Sequence, residues 1–240
     1  GYDKNKVALM ITQTGGGCRD SNYISLLRKA LSNAGYGYIP VISLNFSGLD
    51  DSAMKITAPI LMRFIYAIIF GDLIMCLKNQ CIPYEVNIGE SESVSLQYVN
   101  EIISILVKDK LNKKQIKKEY IKVIEAFENI KLNKSVTKLK VGVVGEIFVK
   151  FSPLGNNDLE KLLVENGGEV VMGGLLDFCL YCIYNNIVDT KLYGVGKLKA
   201  LVYRIVYIYA LSKQRSLIKT IKKNSSFIPP SYFKNTVKAV

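Results

Sequence analysis

VALMITQTGGGCRDSNYISLLRKALSNAGYGYIPVISLN, residues 7–45, decides the fold. Val7 to Thr12 is a short apolar run fit for a buried strand. A glycine-rich loop from Gln13 to Arg19 follows. From Asp20 or Ser21, the residues Tyr23, Leu26, Leu27, Ala30, Leu31 and Ala34 recur at helical spacing, and Gly35 supplies a stop. Ile39 to Leu44 is a second apolar run. Strand, loop, helix and strand in that order form the unit from which parallel sheets are built, because a parallel neighbour requires a crossover connection.

The pattern returns further along. Lys140 to Gly145 predicts a Val-rich strand and Glu146 to Asn156 a long loop, while Asn157 with Glu160 three residues on has the form of a capping box. Leu159, Leu162 and Leu163 form an apolar stripe, Gly167-Gly168 end the helix, and Glu169 to Met172 is a fourth strand. Two such units predict an α/β fold with one Rossmann-like parallel sheet of about four strands.

The sequence between the units is helical in character. Residues Thr57 to Lys78 are intensely apolar, but Arg63 and Asp72 interrupt them and the longest clean stretch is Phe64 to Phe70. A membrane span wants about 20 apolar residues, so a buried core helix is expected and no membrane. Glu90 to Ala126 reads as one or two amphipathic helices, and the seven Lys between Lys108 and Lys122 suit a solvated face. A Lys-rich helical pattern after Thr190 runs to about Lys223, before Pro229-Pro230. The expected organisation is an α/β domain over residues 1–190, with a helical insertion at about 57–130, and a helical C-terminal segment over 191–240.

Composition narrows the function. Of 240 residues 49% are hydrophobic and 22% charged, which fits a globular chain rather than a disordered one. Histidine is absent, so Ser-His-Asp and Cys-His catalysis and any zinc site with an imidazole ligand are excluded for this chain alone. The net charge is +12, yet the basic residues are 27 Lys and 5 Arg. A Lys-heavy, Arg-poor excess indicates a surface bias, not a nucleic-acid recognition face. The five cysteines, Cys18, Cys76, Cys81, Cys179 and Cys182, are odd in number and partly set in apolar runs, which points to a reducing cytoplasm. The opening Gly1-Tyr2 suits a trimmed tag or a piece of a longer protein.

Two loops are candidate sites. In the first, Gly15, Gly16 and Gly17 allow close backbone approach, and Cys18, Arg19 and Asn22 stand where a helix begins, at the carboxyl end of a parallel strand. Such a place suits an anion, or a Cys18 thiolate of lowered pKa. The loop is neither a P-loop nor a GxGxxG, since no Gly-Lys-Ser/Thr follows and Asp20 stands at the third Gly position. In the second, Glu146 and Lys150 could pair or face a ligand, while Asn156 and Asn157 suit either capping or a ligand. Cys179-Leu-Tyr-Cys182 has CxxC spacing, but its apolar setting favours packing over zinc.

These residues resemble one family in order. ITQTGGGCRDSNYISLLRKAL with IPVISLN, Gly71-Asp72, PYE at Pro83 to Glu85, VGVVGEIFVKFSPLGNN and LLDF at Leu175 to Phe178 are similar to the large acyl-CoA dehydratase activase-related proteins of anaerobes, relatives of 2-hydroxyglutaryl-CoA dehydratase and its activator. The likeness covers essentially the whole chain and implies an internal segment of a much longer protein. It also implies an ATP-driven activase that passes an electron to a dehydratase-like protein holding a [4Fe-4S] cluster, with an acyl-CoA-type substrate. On the resemblance, Cys18 is the one cysteine carried over as a cluster ligand in the full-length protein. Cys182 falls at a position associated with the family, but inside its apolar helix. One thiolate cannot hold a cubane that takes about four, and no activase ATP motif of the DxGS/T kind occurs. The isolated chain is therefore expected to hold no complete cluster and to be non-catalytic alone. The alternative is a non-catalytic α/β domain that binds an anion or a partner through the same loops.

Overall fold

The computed structural model describes residues 3–13, 19–44, 57–108, 112–133, 135–194 and 196–238. Residues 1–61 and 62–240 form two compact units.

In the first unit, β1 (Leu9–Thr12) leads through α1 (Asp20–Asn33) to β2 (Val41–Leu44). The strands are parallel, with Leu9 opposite Val41 and Thr12 opposite Leu44. The helix stops at Gly35, whose φ of 78° is a conformation side chains disfavour, and Tyr36 N–H bonds back to the Leu31 carbonyl at 2.8 Å. Gln13 ties the pieces together at the end of β1. Its amide donates to the Ser21 carbonyl (3.1 Å) and its oxygen accepts from the Ser43 hydroxyl (2.8 Å).

The second unit is mostly helical. α2 (Ala58–Cys81) is followed by α3 (Glu90–Val107), α4 (Lys113–Glu128) and β3 (Leu139–Val143). Three short helices come next, α5 (Ile147–Phe151), α6 (Pro153–Asn156) and α7 (Leu159–Glu165), and then β4 (Gly168–Met172). α8 (Leu175–Tyr193), α9 (Lys197–Asn224) and α10 (Phe233–Lys238) complete the chain. β3 and β4 pair in parallel, Leu139 opposite Gly168 and Val143 opposite Met172.

Among the described residues the single four-stranded Rossmann-like sheet is not formed; the strands make two parallel pairs. The reason lies in where the helices spend their apolar faces. Ile69, Phe70, Leu73 and Leu77 of α2 pack with Val123, Ile124 and Phe127 of α4, Leu180 of α8 and Leu217 and Ile221 of α9. These helices bury one another and do not sandwich a sheet, as a doubly wound fold demands. From the stretch expected as an insertion, α2, α3 and α4 contribute Tyr66, Ile69, Phe70, Leu73, Ile102, Val123, Ile124 and Phe127 to this core. Residues 191–240 supply Ala210, Leu211, Leu217, Ile221, Phe227 and Phe233 to the same core.

α2 decides the interior. The stretch Pro59–Tyr84 is the one helix among the described residues long and apolar enough to cross a membrane, and 33% of its most apolar window is buried in the fold. Its Phe70 ring stacks against Tyr120 at 4.7 Å, and its Tyr66 hydroxyl accepts from Lys213 Nζ at 2.7 Å. The turn after it is fixed by Pro83-Tyr84-Glu85. Glu85 accepts the Gly89 and Ser91 N–H groups (2.6 and 2.8 Å) and so caps α3, while Tyr84 donates its hydroxyl to Glu169 of β4 at 2.7 Å.

Candidate functional site

The site is built where β4 ends. Gly173 and Gly174 connect Met172 to α8, and a glycine in the N-cap position offers no side-chain acceptor for the first N–H groups of the helix. Asp72, from the middle of α2, supplies it. Its Oδ1 accepts from Leu175 N and its Oδ2 from Leu176 N, both at 2.8 Å. A carboxylate there also meets the positive end of the helix dipole. A Cβ on Gly174 would press against the Asp72 carboxylate and push it from its two hydrogen bonds to α8.

Two further charges face this carboxyl. Lys150 of α5 and Asp177 in the first turn of α8 both act on it electrostatically. Gln214 of α9 holds Asp177 in turn, donating Nε2 to Oδ1 at 2.6 Å, while its Oε1 accepts from Phe233 N at 3.1 Å. Burial pushes the Asp72 carboxyl up to about 6, with Asp177 adding to the rise and the two backbone N–H groups and Lys150 opposing it. Burial also raises Asp177, against its bond from Gln214 and the charge of Lys150. It lowers Lys150, against the two aspartates. All three groups are shifted toward their neutral forms, as burial of charge demands.

Beside the cluster lies a cavity of about 300 Å³, bounded by α2, β4, α8, α9 and the segment Ile228 to Ser231. Val171, Leu176 and Leu217 give it apolar walls, and Asp72, Asp177 and Gln214 give it a polar end. Gln80 fastens the covering segment as a strand neighbour would. Its amide donates to the Ile228 carbonyl at 3.0 Å and its oxygen accepts from Ile228 N at 2.9 Å. The Cys76 thiol, pushed up to about 11 by burial, donates to the same carbonyl at 3.7 Å. On the far wall Glu169, 4% exposed, receives Tyr84 and an ion pair from Lys140 at 3.4 Å.

Gly15, Gly16, Gly17 and Cys18 lie outside the described residues. Arg19 and Asn22 are exposed at the start of α1, where the Arg19 carbonyl accepts from Asn22 N at 2.9 Å. Of the second loop, Lys150 places its Nζ beside Gly173, makes no ion pair with Glu146, and acts on the aspartates through its charge. Glu146 caps α5 by accepting Val149 N at 3.3 Å. The expected loop over 146–156 contains α5 and α6, and the expected Asn157–Glu160 capping box is not made. Asn156 instead accepts Leu159 N at 3.1 Å, and Asn157 is left-handed, with φ 55°. Asp72, Asp177 and Gln214 carry the site and went unassigned. The signal for Asp72 was present, a lone carboxylate in the most apolar run of the chain, where burial without a partner is costly.

Cys76, Cys81 and Cys179 do not fit the cluster that the resemblance implies. Burial pushes Cys76 and Cys179 up to about 11 and Cys81 to about 12, away from the thiolate a metal requires. Among the described residues no three His, Cys, Asp or Glu side chains stand together as metal ligands. Cys179 and Cys182 are both half-buried along α8.

No known protein family, curated protein or solved structure matches this chain.

Proposed function

We propose that the chain is part of the dehydratase-like, iron–sulfur side of a cytoplasmic 2-hydroxyacyl-CoA dehydratase and activase-type reductase system, and that its second unit binds the polar acyl end of an acyl-CoA-type ligand. The observation that carries the reading is the convergence of three stretches on which the resemblance rests. Gly71-Asp72 and LLDF with Asp177 lie far apart in sequence and line one cavity, and GEIFVKF brings Lys150 Nζ beside Gly173, one residue before the N-cap of the same helix. The carboxyl end of a parallel strand is the usual place for a ligand in α/β proteins. Asp72 and Asp177 take up or release a proton beside the ligand, and Lys150 balances their charge. The cluster, its other ligands and the ATP-dependent activase belong to the rest of the system, with Cys18 assigned as a ligand in the full-length protein on the resemblance alone. Nucleic acid and membrane have no part in it.

Calorimetric titration of the chain with a short 2-hydroxyacyl-CoA, and with free CoA as control, tests this. Binding of the thioester in preference to CoA, weakened about tenfold, or about 1.4 kcal/mol, in Asp177→Asn and in Lys150→Met at unchanged circular dichroism, is the expected result. Equal binding of CoA alone, or full affinity in both variants, refutes it.

A further inference from the structure

α9 carries two apolar faces, and the fold uses one. Tyr203, Val206, Tyr207 and Ala210 turn inward, with Tyr207 against Tyr184 at 5.8 Å and Phe233 at 6.3 Å. On the opposite side Leu198, Leu201, Val202, Ile205 and Ile208 stand 78%, 53%, 53%, 59% and 66% exposed. Their spacing of three and four residues places them in one stripe over three turns. Leu192 and Tyr193, 69% and 75% exposed at the end of α8, adjoin it in sequence. Exposed aliphatic side chains scattered singly are ordinary on a protein, whereas a continuous stripe of five is a contact surface.

Charge continues the same face. Farther along α9 the exposed positions become Arg215, Lys219 and Lys223. The helix holds eight Lys and Arg from Lys197 to Lys223 and no Asp or Glu. Along this face polarity therefore changes down the axis, apolar at the exposed stripe from Leu198 to Ile208, with Arg204 at its flank, and then cationic at Arg215, Lys219 and Lys223. A helix lying in a membrane surface has its polarity divided around the axis instead, with cations flanking the apolar stripe throughout. Insertion end-on would carry Lys197 and Lys199 in first. A second copy meeting this face parallel to itself would set cation against cation.

We infer that the outer face of α9 docks a protein helix running antiparallel to it, acidic in its first turns and apolar in its later ones. Leucine-type side chains fill the Leu198–Ile208 stripe, and carboxylates, favoured at a helix N-terminus, meet Arg215, Lys219 and Lys223. The inference stands apart from the ligand cavity and does not depend on it.

The probe is a synthetic fluorescent helix with glutamates in its first two turns and leucines along one face of the next three. A counterpart carries lysines for glutamates, and vesicles of phosphatidylcholine with phosphatidylserine form a third arm. Anisotropy should show binding of the acidic peptide to the full chain. Binding should be lost in Ile205→Asp and weakened about tenfold in Lys219→Glu with Lys223→Glu, and that double variant should instead bind the lysine counterpart. All three substitutions lie on exposed positions, so folding is retained and checked by circular dichroism. Failure of the acidic peptide to bind, or equal binding of both peptides, overturns the inference. So does vesicle binding abolished by Ile205→Asp without peptide binding, or a dimer in sedimentation that Ile205→Asp dissociates.

Discussion

Asp72→Asn separates the two forces acting on the central carboxyl. Burial stabilises the protonated acid, whereas the N–H groups of Leu175 and Leu176 stabilise the ionised one. Burial wins, and the carboxyl rises from 3.8 to about 6. At 1.36 kcal/mol per pH unit, holding Asp72 ionised in the fold costs about 3 kcal/mol relative to the unfolded chain. Because the folded value lies above the unfolded one, the folded state retains the proton between them. The contribution is fully present below about pH 4 and is lost as pH rises through about 6. The asparagine of the variant cannot titrate. Its amide keeps one acceptor for α8 and sacrifices the other, at a pH-independent cost of about 1–2 kcal/mol. Urea unfolding of both proteins followed by circular dichroism cancels every other titrating group in the difference. The wild type should gain about 2–3 kcal/mol on the variant between about pH 7 and about pH 4. A flat difference, or a wild type that loses ground on acidification, would refute the reasoning and show that the helix N-terminus, not burial, governs the carboxyl.

Gly174→Ala drives a methyl group into the Asp72 carboxylate and should cost about 1–3 kcal/mol, read from the urea midpoint. Tyr84→Phe leaves the buried Glu169 without its hydroxyl donor and should cost about 1–3 kcal/mol by the same assay. Leu77→Ala empties a fully buried position between the long helices and should cost about 2–5 kcal/mol. Cys81, 0% exposed and with its thiol pushed up to about 12, should resist iodoacetamide in the native chain and label on unfolding, as peptide mass mapping will report.

Local chemistry was legible in the sequence. The start of α1 at Asp20, its stop at Gly35, the parallel strands and the helix at Leu159 all follow from spacing and glycine placement, which act within a few residues. The single sheet was not obtainable that way, because nothing in a four- or five-residue strand says which neighbours it will pair with. What decided it was the mutual burial of α2, α4, α8 and α9, a property of their faces taken together. The site shows the same division. Lys150 lies in the second candidate loop, but Asp72 and Asp177, whose charges act on it, come from α2 and α8, and no periodicity links them. The hydrogen bonds from Leu175 and Leu176 to Asp72 span 103 and 104 residues of chain.

The burial of α2 by later helices has a consequence for biosynthesis. α2 ends at Cys81, but Leu217 and Ile221, which close over it, are made about 140 residues afterwards. At roughly 5–20 residues per second, the most apolar helix of the chain waits on the order of ten seconds for its cover. Throughout that interval the nascent chain displays a segment that a membrane-targeting factor or a ribosome-associated chaperone would bind.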